Sequence, residues 1–350
     1  MKKVLPVLGT FILILLIIPL FALIGSNKSP LSPREKTDTT TYLVLNHKTG
    51  EVMKLDPANY IKGVVAAEMP IAYHAEALKA QAVAAHTYAL RQIDAELKNP
   101  SPELKGAYLS TDFEKGQAYI SVEELKEKWG KNYEINYKKL SDAVDSVINE
   151  ILVYEDKPIL AAFHSISGGI TESAKTVWGK DVSYLVPVKS EGDELSPNYE
   201  TKTTLTASEV EHAFTQKYKD IKFDKDKTKW FQILKRSDSK TITEIQVGSE
   251  KMNGKDVREV LNLKSSNFEV AFANESFTFT TNGYGHGVGM SQYGADYLAR
   301  QGKTYHEILL HYYSGVTVKE IESSKKESSI SQSSSSENSN TTSNPSSKVS

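Results

Sequence analysis

Asp56-Pro-Ala-Asn-Tyr-Ile-Lys-Gly-Val-Val-Ala-Ala-Glu-Met-Pro70 runs directly into Ala75-Glu-Ala-Leu-Lys-Ala-Gln-Ala-Val-Ala-Ala-His-Thr-Tyr-Ala-Leu-Arg-Gln-Ile-Asp-Ala-Glu-Leu97. Asp56 followed by Pro57 is a helix start: the carboxylate caps, and Pro at the first position forfeits a donor that would be unpaired anyway. Pro70 disfavours helical backbone in the residue before it, so the helix should stop near Glu68. The second stretch places Leu78, Ala82, Ala85, Ala89 and Ile93 at helical steps on one face. Its small residues point to close packing against a neighbouring element.

On the N-terminal side, Tyr42–Leu45 and Glu51–Leu55 flank the turn-rich Asn46-His-Lys-Thr-Gly50, which reads as a hairpin. On the C-terminal side, Ser121-Val-Glu-Glu124 and Thr206-Ala-Ser-Glu209 are capping boxes that start helices. A helix is expected over Ser141–Glu150, and strands over Ile151–Tyr154 and Pro158–His164. Further strands are expected at Phe231–Leu234, Thr241–Val247, Phe268–Phe272 and Phe277–Thr280. Two helices close the body, near Ser291–Gln301 and Thr304–Tyr313. Helix and strand blocks mixed without a regular βαβ rhythm predict an α+β fold, with antiparallel strands and helices forming a groove.

The whole chain has 350 residues, 42 Lys+Arg, 44 Asp+Glu, a formal net charge of −2 and no Cys. The near-neutral balance argues against a broad nucleic-acid surface. Without Cys there is no thiol nucleophile, disulfide framework or thiolate metal site. Val4–Ile24 is an uncharged run behind Lys2 and Lys3; as a helix it reaches about 32 Å, close to the hydrocarbon thickness of a bilayer. This predicts an uncleaved transmembrane anchor over 1–25, with the lysines inside and the body outside. A signal peptide is the alternative reading. Residues 26–40, with Pro30 and Pro33, read as a polar linker. Residues 41–322 form one body, and 323–350, half of them Ser, read as a disordered tail.

Three places carry candidate chemistry. Glu68 stands among apolar residues at a helix C-terminus; both the apolar surroundings and the helix dipole should raise its pKa and suit it to general acid work. A solvent-facing Glu ending an ordinary helix is the bland alternative. Gly283-Tyr-Gly-His-Gly-Val-Gly-Met-Ser-Gln-Tyr-Gly294 has five Gly in twelve residues between a strand and a helix, and its spacing is not a nucleotide fingerprint. His286, Ser291, Gln292 and Tyr293 there are candidates to face a sugar or peptide, unless the segment is only a tight connection. Phe163-His-Ser-Ile-Ser-Gly-Gly169 ends a strand; His164 and Ser165 alternate in direction, which argues against a Ser–His nucleophile pair. His74, His86, His306 and His311 form no metal-binding spacing, and no two-carboxylate glycosidase pair is evident.

Together, Val64–Pro70, Glu76–Ala82, Phe163–Gly169 and Gly285-His-Gly-Val-Gly-Met-Ser-Gln-Tyr-Gly-Ala295 resemble the SpoIID/LytB family over about residues 41–320. The resemblance implies a membrane-anchored lytic transglycosylase acting on peptidoglycan glycan strands stripped of stem peptides, during forespore engulfment. It implies two partners, the amidase stage II sporulation protein P and stage II sporulation protein M. It places the family's catalytic Glu at Glu68, and makes His164, Ser165, Ser167, His286, Ser291, Gln292 and Tyr293 candidates for lining the groove. Part of the family acts instead as amidase enhancers. His86 stands where relatives often have Arg, and Ile166 where they often have Thr. Some relatives bind zinc through the His of the third motif and two following Cys; with no Cys here, no metal and no cofactor is expected.

Overall fold

The structure, a computed structural model, describes residues 41–321. The expected anchor at 1–25, the linker at 26–40 and the tail from 323 lie outside the described residues. Among the described residues no helix is long and apolar enough to cross a membrane.

The architecture is α+β. It begins β1 (Tyr42–Leu45), β2 (Val52–Leu55), α1 (Pro57–Glu68), α2 (Ala75–Lys98), β3 (Leu109–Ser110), α3 (Val122–Trp129) and α4 (Tyr133–Asp145). It continues β4 (Glu150–Tyr154), β5 (Lys157–Pro158), β6 (Phe163–His164), α5 (Ala174–Trp178), β7 (Glu200–Thr206) and α6 (Ala207–Lys217). Then come β8 (Phe231–Arg236), β9 (Ile242–Val247), β10 (Glu250–Met252), α7 (Gly254–Leu261), β11 (Phe268–Ala273) and β12 (Ser276–Asn282). The body closes with β13 (Met290–Ser291), α8 (Gln292–Arg300), α9 (Tyr305–Tyr312) and β14 (Thr317–Glu320).

Helix α2 is the centre of the first core. From Ala77 to Ala89 it is buried on nearly every side, including Gln81, His86 and Thr87. One packed face was expected; six alanines instead let α1, α4, α8, α9 and β4 approach from all round. Thr87 Oγ1 donates to Val83 O at 2.7 Å and accepts from Leu152 N–H at 2.9 Å, pinning β4 to the helix. Buried His86 meets Tyr42 OH through Nε2 at 2.9 Å; burial lowers its pKa to about 4, so it is a neutral core residue.

The expected hairpin forms as β1 antiparallel to β2, with Tyr42 opposite Leu55, and β3 joins β1 in parallel. A second core is aromatic: Phe214, Trp230, Phe231, Phe268, Phe277 and Phe279, under the sheets β10-β9-β8 and β11-β12-β7. Two expectations need correction. The helix placed at Ser141–Glu150 begins at Tyr133 and ends at Asp145, because Tyr133, Tyr137, Leu140 and Val144 form its packed stripe and Glu150 already belongs to β4. The strand expected over Pro158–His164 is broken in two. Between its ends the backbone is satisfied without a ladder: Leu160 N–H donates to Tyr184 OH at 3.0 Å, and Ala162 O accepts from Tyr313 OH at 2.8 Å. Residues Phe163–His164 then pair in parallel with Met290–Ser291, joining two motifs whose paired residues stand 127 positions apart in the chain.

Candidate active site

Helix α1 delivers Glu68. Asp56 caps its start, accepting from Ala58 and Asn59 N–H at 2.9 and 3.2 Å. Met69 is extended, at φ −119° and ψ 142°, ahead of Pro70, so the helix ends on Glu68. Its carboxylate Oε2 accepts from Gln292 Nε2 at 3.0 Å, and the Ala118 N–H also donates to the carboxyl group. Burial raises the Glu68 pKa above 4.5; the two hydrogen bonds favour the carboxylate and offset part of that rise.

Two cavities meet at this carboxyl. One of about 800 Å³ is walled by Phe113, Trp178, Tyr284 and the His164–Ser165 segment. The other, about 560 Å³, is walled by Tyr73, Lys128, Asn198 and Tyr293. Glu68, Ser165 and Gln292 border both, so the acid stands where the two cavities adjoin. Phe113 is 71% exposed, on a loop held to α1 where Tyr119 stacks on Tyr60 at 5.8 Å. Gly63 makes that approach possible: a Cβ there would sit 2.3 Å from the Tyr119 ring.

His164 and His286 line the larger cavity together, with ring centroids 5.7 Å apart, and Trp178 lies 5.3 Å from His286. His164 Nδ1 donates to Val288 O at 3.1 Å, which leaves Nε2 a buried acceptor without a partner. His286 Nδ1 accepts from Val288 N–H at 3.0 Å. Burial is the first cause lowering both pKa values, to about 3 for His164 and about 4 for His286, so both rings are neutral.

Other candidates are placed differently. Ser167 and Ser291 do not line the groove. Both hydroxyls donate to buried Asp193, at 2.5 and 2.8 Å, and Ser291 also caps α8 by accepting from Gly294 N–H at 3.2 Å. Tyr293 reaches the smaller cavity and donates to Leu195 O at 3.3 Å. Glu172 is buried away from the groove, accepting from Ser173 N–H and Ser237 Oγ. Among the described residues, Glu114, which is exposed, is the other carboxylate bordering the larger cavity. His306 meets Glu150 at 2.9 Å and His311 meets Lys189 O at 2.7 Å, both away from Glu68. Among the described residues no group of three or more His, Asp or Glu is arranged to hold a metal ion.

Sequence reasoning missed Asp193, whose Ser-Glu-Gly-Asp turn carries no signature, and the wall residues Trp178, Lys180 and Arg258. It also missed the contact between Gln292 and Glu68, for which 224 positions separate the partners.

A family model described as SpoIID, stage II sporulation protein, matches residues 45–154, the part that carries Glu68. Stage II sporulation protein D of Bacillus amyloliquefaciens is 40% identical over 282 residues, covering 81% of this chain and 78% of that protein. The chain belongs to the SpoIID family. Stage II sporulation protein D of Bacillus subtilis (strain 168) is also 40% identical, over 264 residues that cover 75% of this chain and 74% of that protein. A second model, described as a domain of unknown function, matches residues 154–289, which include His164 and His286. An amidase enhancer of Bacillus subtilis (strain 168) is 27% identical over 307 residues, covering 74% of this chain and 40% of that protein.

Proposed function

We propose that this SpoIID-family chain is a membrane-anchored lytic transglycosylase that cleaves the MurNAc–GlcNAc bond of denuded peptidoglycan strands. One observation carries the reading: a half-buried Glu68, with its pKa raised, stands at the junction of two cavities that continue past it on both sides. A polymer crossing the acid needs room on both sides of the scissile bond, and aromatic walls such as Tyr73, Trp178 and Tyr284 suit sugar faces.

The chemistry needs one carboxyl group. Protonated Glu68 gives its proton to the glycosidic oxygen as that bond breaks, and an oxocarbenium-like centre develops at C1 of the muramic ring. The Glu68 carboxylate then takes the proton of the same ring's C6 hydroxyl, whose oxygen closes onto C1. The products are a free GlcNAc end and a 1,6-anhydroMurNAc end, Glu68 is reprotonated and no water is consumed. A hydrolase of the usual two-carboxylate kind needs a second acid facing the sugar; Glu114 is exposed on a loop.

The likeness to an amidase enhancer supports a second reading, a wall-binding module that does not cleave. Mass analysis of products from denuded glycan separates the readings. Anhydro ends, one water lighter than hydrolysed ends, are expected; hydrated reducing ends indicate a hydrolase, and intact glycan a binding module. The Val4–Ile24 segment supports anchoring with the body outside the cytoplasm, between the mother-cell and forespore membranes during engulfment. There stage II sporulation proteins P and M are the proposed partners, the amidase supplying denuded strands.

Gln292 gives a pH test of the same acid. Its amide stabilises the Glu68 carboxylate and so holds the pKa down. Activity that needs protonated Glu68 falls as pH rises through that pKa. Gln292→Ala should lower kcat, through lost orientation, and move the alkaline limb of the pH–rate profile to higher pH. An unmoved limb would show that another group sets it.

A further inference from the structure

The larger cavity holds two cations that the acid chemistry does not use. Arg258, on α7, is half-buried in its wall, and Lys180 stands exposed at its edge. Arg258 Nε donates to Leu263 O at 3.3 Å, which fixes the stem; among the described residues the terminal nitrogens have no partner. The adjacent Glu259 favours the charged form of Arg258 from a distance but makes no ion pair with it; its carboxylate is engaged by Lys217 at 3.3 Å and Lys255 at 3.7 Å. Among the described residues neither Arg258 nor Lys180 makes an ion pair, and the two carboxylates bordering the cavity, Glu68 and Glu114, do not neutralise them. A partly buried guanidinium stays charged, and leaving it unpaired costs stability. Its field is felt across the wall, where it contributes to keeping both His164 and His286 neutral. A planar cation with its terminal donors facing a ligand groove and no ion-pair partner is suited to a carboxylate brought by the ligand.

We propose that Arg258, assisted by Lys180, is a carboxylate subsite that reads the free lactyl carboxylate of a muramic acid residue. This rests on the glycan reading above. In a peptide-bearing strand that carboxyl is tied up as an amide: its charge is gone and the peptide adds bulk. In a denuded strand every muramic acid offers the anion, and the alternating GlcNAc offers none. The subsite therefore does two things. It selects strands from which amidase has removed the peptides. It also sets register: a contact only every second sugar can make, at a fixed place relative to Glu68, determines which of the two alternating glycosidic bonds reaches the acid.

The test is a binding ratio, read with the full chain in detergent and Glu68→Gln to prevent turnover. The two probes are denuded glycan and the same glycan with its lactyl carboxylates converted to primary amides. A charge-assisted contact predicts that the acid form binds about tenfold or more tightly. Adding Arg258→Gln should bring the ratio close to one. Arg258→Lys should restore only part of it, because the fork is lost, and Lys180→Gln should lower it by roughly threefold, with added salt shrinking what remains. Equal binding of both glycans by the parent chain, binding of neither, or a ratio that survives Arg258→Gln overturns the proposal. If Arg258→Gln fails to fold, Arg258→Lys and Lys180→Gln decide, and an unchanged ratio in both overturns it. The enzyme reading fails separately: cleavage by the native chain without charge preference refutes the subsite alone, and charge-dependent binding without cleavage refutes the transglycosylase alone.

Discussion

Replacing Gly289 by Ala should destabilise the protein by more than about 3 kcal/mol and abolish the proposed glycan cleavage. The residue sits at φ +74°, and an added Cβ would lie 2.0 Å from Ala162 O and 2.9 Å from its carbonyl carbon. That carbonyl cannot retreat, because it already accepts from Met290 N–H at 3.1 Å and from Tyr313 OH at 2.8 Å. The backbone must move instead, parting Met290–Ser291 from Phe163–His164 and drawing Gln292 away from Glu68. Gly287→Ala is the control. Its φ is similar, +79°, but its Cβ would meet Glu172 Cβ at an ordinary 3.5 Å. It should cost only the left-handed backbone penalty, about 1–2 kcal/mol. Urea unfolding of the two variants decides: equal losses would show that backbone conformation, not the Ala162 contact, is what Gly289 supplies.

How much of this was legible depends on how local the signal is. The end of α1 was readable because Pro70 acts on its immediate neighbour, and Ser121 and Thr206 start helices by the capping boxes they display. Asn253-Gly-Lys-Asp256 is the same device with Asn and Asp, and it starts α7, which the Ser/Thr-with-Glu pattern passed over. Tyr133 and Tyr137, stacked at 5.3 Å, head the stripe of α4, ahead of the helix expected at Ser141–Glu150. The break between β5 and β6 was not readable at all. An apolar run looks the same whether its backbone pairs with a strand or is satisfied by Tyr184 and Tyr313 from far along the chain.

The site divides the same way. Glu68 could be singled out because its surroundings are written in the residues beside it. Ser167 and Ser291 look like surface polar groups in their own motifs, and only the fold brings Asp193 between them. Their role is to hold the two motifs together. The unpaired state of Arg258 is likewise invisible in sequence, where Glu259 is its neighbour; the fold gives that glutamate to Lys217 and Lys255.

Glu68→Gln should reduce cleavage at least about 10²-fold, the low end for lost proton transfer. The amide keeps the size of the side chain and one oxygen that can accept from Gln292, so the groove keeps its shape and glycan binding should stay near wild type. Stability separates this from a structural role. Burial raises the Glu68 pKa in the folded state above its ordinary 4.5, so the native protein binds the proton more tightly than the unfolded chain. The contribution of protonated Glu68 is therefore fully present below about pH 4.5 and is lost as pH rises through the folded-state pKa. Gln carries no such proton. The variant should match wild type in acid, hold or gain slightly at neutral pH, and show a flatter stability profile between those limits. Three outcomes can be told apart by assaying cleavage, glycan binding and urea unfolding on one preparation. An inactive variant that folds and binds assigns the proton transfer to Glu68. One that neither folds nor binds makes Glu68 a structural residue. One as active as wild type removes Glu68 from the chemistry, and the next residue to test is Glu114, which borders the same cavity, ahead of Glu172, which is buried elsewhere.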